Sequence, residues 1–181
     1  TRNVIAENFT GGLALVASPN DPNSPGTQNI IVTLNAISYN GSWGALIYGG
    51  INNKFSQNEL TKNWNAALVN YASANLTLRD MSIYNNNFAA TNSAGQVFVG
   101  VSSIVITETG VPGLLDQSLN SNPNAKFITE ILENQIHHTG AGSSGQKTGI
   151  YIGSTVGQLQ LSQKNVINID NNRFLEQDIA V

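Results

Sequence analysis

The chain has 181 residues, 40% of them apolar, enough for a single domain with its own core. Only 10% are charged, and eight Lys plus Arg face eleven Asp plus Glu for a net charge of −3, which excludes a nucleic-acid binder's basic footprint and a charge-extended disordered chain. Asn (26 residues) and Gly (17) are poor helix formers, which excludes a helical bundle, and the lack of Cys removes disulfides, thiolate metal sites and a cysteine nucleophile.

The first expected strand is Leu13-Ala14-Leu15-Val16, after Val4…Glu7…Phe9. Pro19 to Gly26, with three prolines, reads as a loop. A frame then appears: apolar residue, two spacers, Asn, one spacer, apolar residue. Its first instance is Val32…Asn35…Ile37, followed by the strand Ala45-Leu46-Ile47-Tyr48. It recurs at Phe55…Asn58…Leu60 before Ala67-Leu68-Val69, and at Ile83…Asn86…Phe88 before Val97-Phe98-Val99. Val4…Glu7…Phe9 fits the same frame with Glu replacing Asn. Ser103-Ile104-Val105-Ile106-Thr107 is a further strand, and Val111 to Lys126 a loop with two prolines. The frame returns at Ile131…Asn134…Ile136, ahead of the Gly-rich loop Gly140 to Gly149 and the strand Gly149-Ile150-Tyr151-Ile152. Gln158-Leu159-Gln160-Leu161 alternates strictly, and Ile169…Asn172…Phe174 leads to Ile179-Ala180-Val181.

The Asn positions lie 23, 28, 48 and 38 residues apart. Short strands returning every 20 to 30 residues or so, with no helical stretch between them, describe a solenoid. Asn suits a coil corner because it tolerates the left-handed conformation. Stacked coil on coil, its amide pairs with the amide above, forming a ladder. Asn35, Asn58, Asn86, Asn134 and Asn172 are the expected structural corners. An antiparallel sandwich of short strands is the competing fold, but it gives no reason for Asn to return before each apolar pair.

The phrases Ile131-Leu-Glu-Asn-Gln-Ile136 with Thr148-Gly-Ile-Tyr-Ile152, and Ile167-Asn-Ile-Asp-Asn-Asn-Arg-Phe174 with Asp178-Ile-Ala-Val181, resemble the repeats of the right-handed parallel β-helix, or pectin-lyase-like, family. The resemblance covers nearly the whole chain through short, degenerate motifs. It implies an all-β solenoid of about six to eight coils, roughly 30 to 40 Å long, with the insertions as loops. Residues 1–181 then form one β-helix domain. Both ends fall in patterned sequence, so a segment of a longer protein is expected.

The family includes polysaccharide lyases, glycoside hydrolases and epimerases. The resemblance implies either acidic clusters holding Ca²⁺ beside an Arg or Lys base, or Asp residues gathered on neighbouring coils. Glycosidic cleavage needs two carboxyl groups within about 5 to 10 Å. Aligned on the Asn frame, Glu133 and Asp170 come nearest to that, yet no two acids share a position and no Asp-x-Asp occurs. They are the only catalytic candidates, and solvated turn carboxylates are the alternative. His137-His138 would point to opposite faces of a strand, so the pair makes a poor chelate, and no metal or cofactor is expected. Gly145-Gln-Lys-Thr lacks the order of a phosphate loop. The sequons at Asn8, Asn40 and Asn75 are expected by chance at this Asn content.

Aromatic residues point to binding. Trp43 and Trp64 precede the second strands of consecutive coils, and Tyr48 and Tyr71 close them, while Tyr39 and Tyr84 sit near the Asn corners. Such rings stack on the apolar face of a sugar or pack between coils. The expected function is an adhesin-type or structural segment of a bacterial cell-surface or secreted protein, as in autotransporter passengers, contacting a polysaccharide or host glycan. A carbohydrate-active enzyme and a viral tail-spike module are the alternatives. Unpaired coil edges predict end-to-end or side-by-side self-association.

Overall fold

The computed structural model describes residues 1–16, 27–86, 102–107, 127–137, 148–153, 165–177 and 181. The expected strands Val97–Val99, Gln158–Leu161 and Ile179–Val181 lie outside them, wholly or nearly so, as do most of the expected loops and His138.

Six coils follow one another. The first holds β1 (Val4–Ala6), β2 (Leu13–Val16) and β3 (Thr27–Gln28), and the second β4 (Ile31–Thr33), β5 (Ala36–Ser38) and β6 (Ala45–Ile51). The third holds β7 (Lys54–Ser56), β8 (Glu59–Thr61) and β9 (Leu68–Ala74), the fourth β10 (Thr77–Arg79), β11 (Ser82–Tyr84) and β12 (Ser102–Thr107). The fifth holds β13 (Phe127–Leu132), β14 (Gln135–His137) and β15 (Thr148–Gly153), the sixth β16 (Asn165–Asp170) and β17 (Arg173–Leu175). Strands stack into three sheets: a first of β1-β5-β8-β11-β14-β17, a second of β4-β7-β10-β13-β16 and a third of β2-β6-β9-β12-β15. Every pairing among the described residues is parallel. The chain is a parallel β-helix, and the antiparallel sandwich is excluded.

The core runs down the tube as columns of side chains set by register. Val32, Phe55, Leu78 and Ile131 stack from the second sheet, and Ile37, Leu60, Ile83 and Ile136 from the first. Ala45, Leu68, Ile104 and Ile150 supply the third. Almost all are fully buried, each contributing roughly 1.5–3 kcal/mol through the larger side chains. One column admits a polar residue: Asn70 stacks under Ile47 and over Ile106, with no partner for its Oδ1.

Each corner consists of a left-handed residue followed by one whose side chain turns into the tube. Between the second and first sheets the left-handed residues are Arg2, Leu34, Gln57, Asp80, Glu133 and Asn171. Asn3, Asn35, Asn58, Met81, Asn134 and Asn172 follow them. Beyond the first sheet stand Glu7, Tyr39, Lys62, Asn85 and Glu176, followed by Asn8, Asn40, Asn63, Asn86 and Gln177. Holding a non-Gly residue left-handed costs roughly 1–2 kcal/mol. Most ladder Asn are therefore not the strained residue itself, contrary to the expectation from sequence. They supply an amide instead. Only at the third corner are Asn29, Asn52 and Asn75 the left-handed residues.

Two internal ladders result. In the first, Asn3, Asn35 and Asn58 are linked by Nδ2 donation to the next Oδ1 at 3.0 and 2.9 Å, and Asn134 to Asn172 at 2.9 Å. In the second, Asn8, Asn40, Asn63 and Asn86 are linked at 2.8 Å each. Asn86 thus belongs to the second column and not with Asn35 and Asn58. Its place in the first is taken by Met81, 1% exposed, and Ile83 stacks with Ile37 and Leu60, not with Val32. The repeat from Asn58 to its true equivalent is again 23 residues, and β12 is that coil's third strand.

Candidate functional site

The outer face of the first sheet carries side chains in three columns fixed by the ladders. Counting from the first-ladder residue, the next position gives Ala36, Glu59, Ser82, Gln135 and Arg173, and the third gives Ser38, Thr61, Tyr84, His137 and Leu175. The left-handed residues Tyr39, Lys62 and Asn85 form the third column along one rim.

Neighbouring coils tie these groups together. Tyr84 donates its hydroxyl proton to Glu59 Oε1 at 2.6 Å. That acceptor, helped by burial, holds the Tyr84 hydroxyl above its ordinary pKa. The His137 imidazole stacks on the Tyr84 ring, centroids 5.3 Å apart and planes 15° from parallel. Lys62 Nζ donates to Tyr39 Oη at 2.8 Å and lies 5.1 Å from that ring's centroid. At the sheet's other rim, Arg79 Nη2 meets Glu133 Oε2 at 2.7 Å, with Asp80 beside it at 3.4 Å. The Glu133 bond and charge push the guanidinium pKa further up. The strip therefore offers flat rings, hydroxyls, a free-standing carboxamide at Gln135 and both signs of charge, repeated at the coil rise of about 4.8 Å.

The candidates read from sequence are spread around the tube. Glu133 and Asp170 lie on adjacent coils, joined by Glu133 N–H donation to Asp170 O at 3.1 Å, but the Glu133 carboxylate is engaged by Arg79. Tyr48 and Tyr71 pair on the outside of the third sheet, 5.9 Å apart and tilted by 60°. Trp43 packs there with Ala66, Val69 and Val105, its ring against Gly11. Trp64 is half exposed at the second corner, and its N–H donates to Asn40 O, placing it level with Gly41. The two Trp residues are not stacked. Asn8, Asn40 and Asn75 all have their amides engaged in ladder bonds. Among the described residues no group of three His, Cys, Asp or Glu is placed to hold a metal. Glu59, Lys62, Gln135 and Arg173 were missed as a set; their constant offset from the ladder residue is the signal that finds them.

No protein-family model and no curated protein matches the chain. Among solved structures it is similar to the A-module of mannuronan C-5 epimerase AlgE4 from Azotobacter vinelandii, with a TM-score of 0.67 and 16% identity. The match covers 99% of this chain and 42% of that one, so the chain spans less than half the length of its structural neighbour. The likeness is one of fold.

Proposed function

We propose that the chain is a binding segment of a cell-surface or secreted protein that holds a polysaccharide along the outer face of the first sheet. The observation carrying this reading is the strip itself: Tyr39, Glu59, Lys62, Tyr84, Gln135, His137 and Arg173 recur at ladder-fixed positions on successive coils. A sugar ring presents an apolar face to an aromatic ring and hydroxyls to carboxylate, ammonium and amide groups. The rise of about 4.8 Å per coil is comparable with one unit of an extended glycan. The fold neighbour's name assigns it to mannuronan, a polysaccharide, which supports a carbohydrate ligand. Affinity electrophoresis through gels containing neutral and acidic polysaccharides tests the reading. At least one polymer should retard the protein; Tyr84→Ala should weaken retardation about tenfold, while Lys54→Ala on the second sheet leaves it unchanged. Equal loss in both variants, or no retardation at all, would overturn it.

One observation favours a second reading, a carbohydrate-active enzyme: Glu59, Tyr84 and His137 form a contact group of titratable side chains on three successive coils. Incubation with polyuronates, followed by absorbance of unsaturated product and by NMR of the sugar composition, decides between them. Turnover that vanishes in Tyr84→Phe would replace the binding reading.

A further inference from the structure

We infer that the second corner carries a separate subsite for one pyranose ring, held between Phe9 and Trp64 across Gly41. Each of these residues directly follows a second-ladder Asn, namely Asn8, Asn40 and Asn63. Gly41 N–H donates to Asn8 O at 2.8 Å and Trp64 N–H to Asn40 O at 2.9 Å, so the three occupy one outward column on successive coils. The ladder bonds behind them fix that register.

Phe9 is 95% exposed and Trp64 50%, which is unusual for large aromatic side chains on a well-packed tube. They are rooted two coil rises apart, about 9.6 Å. Two stacking contacts of about 4.5–5 Å span that distance with one ring between them. The intervening residue must be glycine, because a Cβ on Gly41 would collide with the Phe9 carbonyl oxygen. No side chain of the middle coil enters the gap. Purely apolar occupants would be served by the two rings alone. Here the left-handed column just before it adds the Glu7 carboxylate, the Tyr39 hydroxyl and the Lys62 ammonium, which suit the hydroxyl rim of a sugar. The choice of a sugar agrees with the carbohydrate reading above, but the subsite stands on its own residues and is tested separately.

The probes are methyl pyranosides of the gluco, galacto, manno and glucurono series, with saturation-transfer NMR and Trp fluorescence as readouts. At least one should receive saturation on its ring protons in the unmodified protein. Phe9→Ala and Trp64→Ala should each weaken binding about tenfold or more, with Trp64→Phe largely retained and Tyr84→Ala without effect. Phe9 is exposed, so its loss should leave the melting temperature unchanged. Failure of every pyranoside to bind, unchanged binding in both alanine variants, or preference for a planar aromatic probe such as indole would overturn the inference. If Tyr84→Ala abolishes polymer binding while Phe9→Ala and Trp64→Ala leave all binding intact, this subsite falls and the first-sheet strip stands. The opposite pattern removes the strip and keeps the subsite.

Discussion

Asn63 shows what a ladder residue does. It accepts from the Asn40 amide at 2.8 Å and donates to Asn86 Oδ1 at 2.8 Å and to Ile37 O at 3.1 Å, fully buried. One side chain therefore satisfies polar groups on three coils. Asn63→Ala strands several of them, each costing about 1–3 kcal/mol, so a loss of about 3 kcal/mol or more is expected in chemical denaturation. A loss under 1 kcal/mol would contradict that role. Met81 is the converse case. Asn58 Nδ2 has only the Val32 carbonyl, at 2.8 Å, and Met81 N–H bonds Asn134 Oδ1 at 3.0 Å. Met81→Asn supplies the missing rung, whereas Met81→Ala leaves a cavity worth about 2–5 kcal/mol. The Asn variant should be the more stable of the two. Tyr84 gives a pH test. Its folded-state pKa is raised, first by Glu59, so the proton is bound more tightly in the native protein. That contribution to stability is present below the unfolded tyrosine pKa and is lost as pH rises through the higher native value. The phenolate absorbance assigned to Tyr84 by comparison with Tyr84→Phe should appear above the ordinary range, and Glu59→Gln should lower its midpoint.

The contacts between coils are not all of one kind. From the first coil to the fourth, the second ladder links every step. Between the fourth and fifth coils the described cross-links are external: Arg79 to Glu133, Thr77 Oγ1 to Glu130 Oε2 at 3.3 Å, and Tyr84 on His137. Exposed ion pairs are screened by salt, while buried amides are not. Raising ionic strength should therefore speed hydrogen exchange in β10 and β13 more than in β7 and β8, and a uniform change along the tube would count against this division. The same step limited what could be read from sequence. The 23-residue period, the strands β2, β6, β9 and β15 and the ladder Asn of four coils were legible, because inward positions must be apolar or amide-bearing. At the fourth coil Met stands where Asn was sought, so the nearest Asn, Asn86 of the other column, was taken for it and the strand register slipped. The strip was hidden for a different reason. Outward positions such as Glu59, Tyr84 and Gln135 need only tolerate solvent, and they align only once Met81 is placed in the ladder.

At the scale of the molecule, three parallel sheets around a filled interior make a rigid tube, with its outer groups spaced by the coil rise. A ligand with its own axial repeat gains contacts coil by coil, so affinity should climb with oligosaccharide length and level off when the described coils, about five rises of about 4.8 Å, are covered. Length-independent affinity, by calorimetry on a graded series, would place binding at a single spot instead. The most direct test of the central claim is backbone amide shift mapping with an oligosaccharide of the best-retained polymer. The account predicts shifts running along β5, β8, β11, β14 and β17, with the second sheet silent. Shifts confined to the second or third sheet would contradict it.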